Sequence, residues 1–248
     1  MRSRAAAIAL LCASTFGLLA SSAFARHATR VARVAGSRPV RPAAAPDVVS
    51  GGFEPAPSAS FSQLPALRFS NQNTGESRRV KLYDDTGRVD EREALKLDAL
   101  LCDARDPKER AMTTLDRRTL QLAVRAALHF HSDEVSVVSA YRKPGRRPEG
   151  PHADGRALDF RLPGVLPRVL AAYLRTLPRV GVGIYTHPKT AFVHLDDREH
   201  SFHWLDASPP GRHWREMSLG GRGLAERDAA YARADDWPEG TTPPPAAP

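Results

Sequence analysis

An aspartate and a histidine stand inside two short stretches where apolar and polar residues alternate. Asp159 lies in 157–162 and His194 lies in 191–196. Such alternation predicts two β-strands, in which one set of side chains packs into the core and the other set, with Asp159 or His194, points to the opposite face. If the strands pair antiparallel, the carboxylate and the imidazole converge.

His152 is the third candidate, seven residues before Asp159 and separated from it by Gly155. Glycine adopts positive φ at low cost, so the loop can fold back against its own strand. Two imidazoles and one carboxylate, with a fourth position left for water, are typical of a catalytic zinc ion and not of a structural one. The sequence therefore predicts a Zn²⁺ site made by His152, Asp159 and His194.

Each of these residues also has an ordinary explanation. His152 could be a surface loop histidine, His194 a core histidine, and Asp159 the ion-pair partner of Arg142 or Arg161. A carboxylate in apolar surroundings costs several kcal/mol unless a cation compensates it, so Asp159 needs one partner or the other. The spacing of the three residues favours the metal.

The elements between these residues indicate an α+β domain with helices before most of the strands. The alternation and helical spacing predict these elements: an early strand or hairpin near 80–87, helices over 91–102, 115–130 and 165–177, and strands over 134–140, 157–162, 182–185 and 191–196.

The pattern His-x-x-Gly-x-Ala-x-Asp followed by a later strand histidine resembles the zinc metallopeptidases that include D-Ala-D-Ala peptidases, lysostaphin and hedgehog. More narrowly, it is similar to the YcbK-like (MepK-type) murein endopeptidases. The resemblance runs from about Leu67 to Trp204 and includes the segments 71–76, 138–142, 155–164 and 181–185. It implies a single hedgehog/D-Ala-D-Ala peptidase-like domain, with a central, mostly antiparallel sheet flanked by helices, that hydrolyses peptide cross-links of peptidoglycan with zinc-activated water.

The general base is less clearly marked, because relatives carry an acidic residue or a histidine just before the last ligand, where this chain has Ala191 and Phe192. We expect Asp196, on the same strand face as His194, to act as catalytic base or as a partner that orients a ligand. Three further acidic or imidazole side chains stand behind it as candidates: Asp197, Glu199 and His203.

The resemblance also implies that Arg142 contacts a carboxylate of the peptide substrate, which suits the bidentate guanidinium group. Its ordinary alternatives are a surface arginine or a partner of Asp159. Tyr185 and Trp204 could line the cleft or simply pack. Two rival functions stay open: a D-amino-acid carboxypeptidase of the same superfamily, and a non-catalytic module that binds peptidoglycan.

The chain divides by composition. Arg2 and Arg4 precede a short apolar run that ends at an Ala-x-Ala site, which indicates a cleaved signal peptide and hence a periplasmic protein, with a retained anchor as the alternative. The predicted segments are a signal peptide over 1–25, a flexible linker over 26–60, the catalytic domain over 61–219 and a flexible Pro/Gly-rich tail over 220–248.

The net charge limits the classes of binding partner, and the cysteine content limits the kinds of metal site and cross-link. Removal of Arg2 and Arg4 lowers the formal charge from +8 to +6, which favours an anionic cell wall, whereas scattered basic residues without interleaved aromatics argue against nucleic acid. No later segment is apolar enough for stable membrane insertion. With Cys12 in the signal peptide, Cys102 is alone in the mature chain, which excludes a thiolate cluster or an internal disulfide.

Overall fold

The computed structural model describes residues 60–102, 114–143, 150–212 and 216–241. The predicted signal peptide and all but the last residue of the predicted linker lie outside these ranges. Within them, no helix combines the length and apolar character needed to cross a membrane.

A mixed sheet of eight strands organises the described residues, in the spatial order β2-β1-β3-β4-β6-β5-β7-β8. Its pairs are antiparallel except for β1 with β3 and β5 with β7. The strands are β1 Leu67–Asn71, β2 Ser77–Val80, β3 Glu134–Ser139, β4 Ala157–Arg161, β5 Val180–Tyr185, β6 Val193–Asp197, β7 Phe202–Asp206 and β8 Glu216–Leu219. The expected α+β fold with a mostly antiparallel central sheet is confirmed.

Local sequence sets the helix boundaries. The Asp90 carboxylate accepts hydrogen bonds from the first backbone N–H groups of α1, Asp116 does the same for α2, and Pro167 opens α4 at a position where its missing N–H costs nothing. The helices are α1 Glu91–Leu100, α2 Arg117–His129, α3 Gly150–Ala153, α4 Pro167–Leu174 and α5 Leu224–Ala229, with 3₁₀ turns at Phe61–Gln63 and Arg233–Asp236.

The hydrophobic core lies between one face of the sheet and helices α1, α2 and α4. In β4 and β6, Leu158, Phe160, Val193 and Leu195 are buried on this face. The predicted apolar stripe of α2 packs against them. Because side chains alternate along a strand, the intervening residues of β4 and β6 must lie on the other face, which we call the site face.

The strands expected at 134–140, 157–162, 182–185 and 191–196 are present within one or two residues of these bounds. The early strand ends at Val80, and the turn that follows contributes a single bridge between Tyr83 and Val89. The sequence patterns did not indicate β1, β7, β8 or α5 as elements.

The segment after Gly220 differs from the flexible tail that its composition suggests. It forms α5 and a 3₁₀ turn, and two of its carboxylates are buried. Asp228 accepts hydrogen bonds from the backbone N–H groups of Arg179 and Ser201, each 2.6 Å long, and Asp236 pairs with Arg118 at 2.9 Å. These contacts extend the folded part beyond 219, the predicted end of the domain.

Candidate metal centre

The register between β4 and β6 brings two of the predicted ligands together. Asp159 is directly opposite His194 in this antiparallel pair, and both side chains project from the site face. On the other side of β4, a register shift in β3 between Val137 and Ser139 ends the regular pairing next to Asp159. Such irregularities often re-aim the chain beside a site, and here the chain leaves β3 toward the segment that carries His152.

His152 lies on the short helix α3 and not in the predicted loop, and backbone hydrogen bonds hold it in place. Gly155 has a φ of +70°, as the predicted tight turn requires, and its N–H donates to the carbonyl of His152 at 3.3 Å. The N–H of Arg142 donates to the same carbonyl at 3.1 Å. The imidazole of His152 donates from Nδ1 to the carbonyl of Ala140 at 2.5 Å, so its Nε2 turns toward Asp159 and His194.

Three ligand atoms converge on one point. The distances are 2.8 Å from His194 Nδ1 to Asp159 Oδ1, 3.2 Å from His152 Nε2 to His194 Nδ1, and 3.3 Å from His152 Nε2 to Asp159 Oδ1. The ligands of a tetrahedral zinc ion bound at ~2.0–2.1 Å are about 3.4 Å apart. The donor set and its separations therefore fit a divalent metal, and all three residues are nearly fully buried.

The remaining nitrogen of each imidazole is already used. His152 Nδ1 is occupied by a backbone carbonyl, and His194 Nε2 donates to Asp196 Oδ2 at 2.8 Å. With a metal bound, each imidazole would be neutral and its inward nitrogen would offer a lone pair to the ion. Fixing the tautomer and orientation of a ligand through its second nitrogen is the usual arrangement at metal sites.

Asp196 lies behind His194, away from the point where the ligand atoms meet. It has no exposed surface, and besides His194 it binds Arg198, whose Nε donates to Oδ1 at 2.6 Å while a terminal guanidinium nitrogen donates to Oδ2. A carboxylate enclosed in this way has no path to water at the ligand point. Of the two roles that the sequence allowed for Asp196, the structure favours orientation of a ligand over that of general base.

The other acidic and imidazole candidates lie elsewhere. Asp197 forms ion pairs with Arg118 and Arg156, and Glu199 is exposed after β6. His203 is buried on the opposite face of β7, where burial and the nearby Arg175 and Arg227 lower its pKa to about 4. None of the three contacts His152, Asp159 or His194, which we call the ligand triad.

Arg142 contacts the site through Asp159. Its Nη2 donates to Asp159 Oδ2 at 2.9 Å, and its Nε donates to Ser139 Oγ at 3.0 Å. An ion pair between Arg142 and Asp159 was the alternative to metal binding by Asp159. The two are compatible, because Arg142 contacts Oδ2 of Asp159 while the two histidines contact Oδ1. Arg142 keeps 43% of its side-chain surface exposed at the cleft.

The charges of the site stabilise one another. Burial alone would raise the pKa of Asp159, but its hydrogen bonds and electrostatic interactions with His152 and His194 hold that pKa well below its usual range. Burial alone would lower the pKa of His194, yet its hydrogen bonds to Asp159 and Asp196 raise it to about 9. The carboxylates of Asp159 and Asp196 thus favour a positive charge between them.

Glycines on β5 leave room for the groups around His194. Gly181 and Gly183 point to the site face, while Val180, Val182 and Ile184 fill the core. A Cβ on Gly181 would lie 2.3 Å from Asp196 and Arg198 atoms, and one on Gly183 would lie 2.5 Å from the Trp204 ring. The indole consequently lies over Gly183, with its ring centroid 5.0 Å from that of His194.

A cleft of about 300 Å³ opens beside the ligand triad. Asp159, Arg142 and Tyr185 line it together with Asp206, a buried carboxylate on β7 that the sequence analysis missed. The pKa of Tyr185 is raised to about 12 by burial and by the charge of Asp159, so its hydroxyl stays protonated. The signal for Asp206 was its spacing of two residues from Trp204, which places both on one strand face.

The comparisons with known proteins are consistent with this geometry. No curated protein and no solved structure matches the chain. The family model described as peptidoglycan L,D-endopeptidase MepK matches residues 59–201, which is more than half of the chain and includes the whole triad. The chain belongs to this MepK family of peptidases.

Proposed function

We propose that this peptidase is a zinc-dependent murein endopeptidase that hydrolyses peptide cross-links of peptidoglycan. The convergence of His152 Nε2, Asp159 Oδ1 and His194 Nδ1 within 3.3 Å, with the outer nitrogen of each imidazole occupied, carries the proposal. Zinc held there would supply a Lewis acid for the scissile carbonyl and lower the pKa of a bound water toward neutrality.

The chain's own residues supply the other parts of the reaction. Asp159 and the two histidines would hold the ion, and Asp196 with Arg198 fixes the His194 ring. Tyr185 keeps its proton and lines the cleft with Asp159, so its hydroxyl can donate a hydrogen bond to the carbonyl oxygen as negative charge develops on it. The exposed part of the Arg142 guanidinium can bind a carboxylate of the stem peptide.

The surface on either side of Arg142 supports cleavage inside a chain over removal of a terminal residue. Arg142 and Ser139 line the cleft of about 300 Å³ and also a second depression of about 440 Å³, which Asn71, Asn73 and Tyr141 complete. A substrate that continues on both sides of the scissile bond needs two such spaces. A carboxypeptidase needs only one.

Export to the periplasm completes the proposal. It rests on the predicted signal peptide, and the charge of +6 after cleavage suits an anionic wall. Fractionation of cells that express the full chain, compared with a variant lacking 1–25, tests it. The full chain is expected in the periplasmic fraction at a mass reduced by that of 1–25, and recovery of unprocessed chain in the cytoplasm would contradict export.

A muropeptide digest combined with metal analysis tests the activity. Purified protein is expected to contain about one zinc per chain and to convert cross-linked dimers into monomers. Shortened monomers alone would indicate a carboxypeptidase, and sedimentation with sacculi without released fragments would indicate a binding module. Asp159→Asn is the matched control, because it preserves shape while removing the charge of the ligand carboxylate.

A further inference from the structure

Two neighbouring aromatic side chains, an exposed phenylalanine and a partly buried tryptophan, lie at the edge of the site. Phe202 and Trp204 are two residues apart on β7, so they project from the same face of the sheet, the site face. Their rings are nearly parallel, with an interplanar angle of 27° and centroids 5.9 Å apart. Phe202 leaves 47% of its surface exposed. We call this pair the aromatic platform.

The platform is continuous with the metal centre. Trp204 lies over Gly183 with its ring 5.0 Å from His194, and Phe202 extends the surface outward. The guanidinium of Arg198, which holds Asp196, lies 5.8 Å from both ring centroids. A depression of about 340 Å³ adjoins the pair, and its lining consists of Arg198, Phe202, Trp204, Glu216, Met217 and Ser218.

Phe202 contributes little to the packing of the fold. Its ring is not part of the hydrophobic core, and the residue lies just beyond the segment 59–201 that the family model matches. An exposed aromatic surface with polar groups at its edge is typical of a binding site. Ring faces pack against the C–H groups of a pyranose, whereas side chains such as Ser218, Glu216 and Arg198 suit its hydroxyl groups.

We propose that the aromatic platform binds a sugar ring of the glycan strand while the attached stem peptide enters the metal cleft. This inference rests on the proposed function, because it assigns the glycan end of that same substrate. An exposed aromatic ring beside the polar side chains of the depression favours a sugar over an apolar peptide side chain, which would gain more from an enclosed pocket.

The distances agree with the length of a stem peptide. The ring centroids of His194, Trp204 and Phe202 follow one another at 5.0 and 5.9 Å, so the platform begins and ends within roughly 11 Å of the ligand histidine. An extended chain advances ~3.3–3.6 Å per residue, and about three residues cover this span. A sugar on Phe202 therefore suits a scissile bond no more than about three residues from the glycan.

Paired substrates test the platform. Cross-linked muropeptide dimers that carry their disaccharides are compared with the same stem-peptide dimers freed of sugar by an amidase. We take packing of the sugar on the ring to be comparable in strength to an aromatic pair, so Phe202→Ala should lower kcat/KM about 2- to 10-fold on the sugar-bearing dimer, mainly through KM. The sugar-free dimer should be cut at the parental rate, and Phe202→Trp should restore the first rate.

Leu95→Ala is the matched control, since Leu95 is equally apolar, 57% exposed, and located on α1. Equal losses on both dimers, or no loss on either, would overturn the platform while leaving the endopeptidase function intact. If the parent protein cuts neither dimer, the proposed function fails, and sedimentation with peptide-free glycan strands decides the platform separately. Binding that Phe202→Ala abolishes would support it, and unchanged binding would overturn it.

Discussion

Replacing Asp196 by asparagine tests the role that the structure gives to this buried carboxylate. It accepts three hydrogen bonds, one from His194 Nε2 and two from Arg198. All three partners are donors. The asparagine amide has one acceptor oxygen, so it can accept hydrogen bonds at only one of the two positions that the carboxylate oxygens occupy, and its NH₂ group must face a donor at the other. The most favourable orientation keeps His194 and opposes Arg198.

The bond to His194 would then be neutral on the acceptor side and about half as strong. Partners of this kind contribute ~10- to 100-fold to metal affinity, which equals about 1.4 to 2.7 kcal/mol. We therefore expect Asp196→Asn to bind zinc at least tenfold more weakly, with its far-ultraviolet circular dichroism unchanged. Competition with a chromophoric chelator measures this loss directly, without any peptide substrate.

Asp197→Asn is the matched control, because it removes the same charge from the next residue of β6, where the carboxylate faces Arg118 and Arg156. It should retain parental zinc affinity. Equal affinities for the two variants would refute the idea that Asp196 orients His194 for the metal.

Three further outcomes follow from the same geometry. Asp159→Ala should lose zinc in dialysis and hydrolyse no cross-links while keeping its helical circular dichroism, and retained activity would discard the site. Zinc must displace the proton that His194 holds below about pH 9, so apparent affinity should rise about tenfold per pH unit from about pH 6 to about pH 8, and a flat titration profile would contradict this. Gly183→Ala places a Cβ 2.5 Å from the Trp204 ring and should change tryptophan fluorescence and lower activity, whereas Gly220→Ala, which meets nothing within 4 Å, should do neither.

The convergence of His152, Asp159 and His194 could be predicted because its signals are local. Strict alternation fixed the faces of Asp159 and His194, and Gly155 marked the turn that returns His152 to the strand. The position of Asp196 followed from the same alternation, but its role did not. The role of Asp196 depends on its contact with Arg198, which follows β6. The spacing of residues along the chain does not predict that side-chain contact.

The folded segment after Gly220 shows a different limit of prediction from sequence. Its glycines, prolines and charges are those of a solvated tail, and composition alone gives no reason to fold it. It packs because Asp228 satisfies backbone N–H groups at Arg179 and Ser201, and because Asp236 pairs with Arg118 on α2. Such long-range polar contacts stabilise a segment without any hydrophobic period.

Strand β7 was missed because its first three residues alternate opposite to the usual pattern. A strand is normally recognised by apolar residues on the core face and polar residues on the other. In β7, His203 faces the helices and is buried beside Arg175, while Phe202 and Trp204 lie on the site face. These two aromatic residues are not part of the hydrophobic core. Phe202 and Trp204 depart from the pattern expected of a half-buried strand, and they are the residues that we propose bind the glycan.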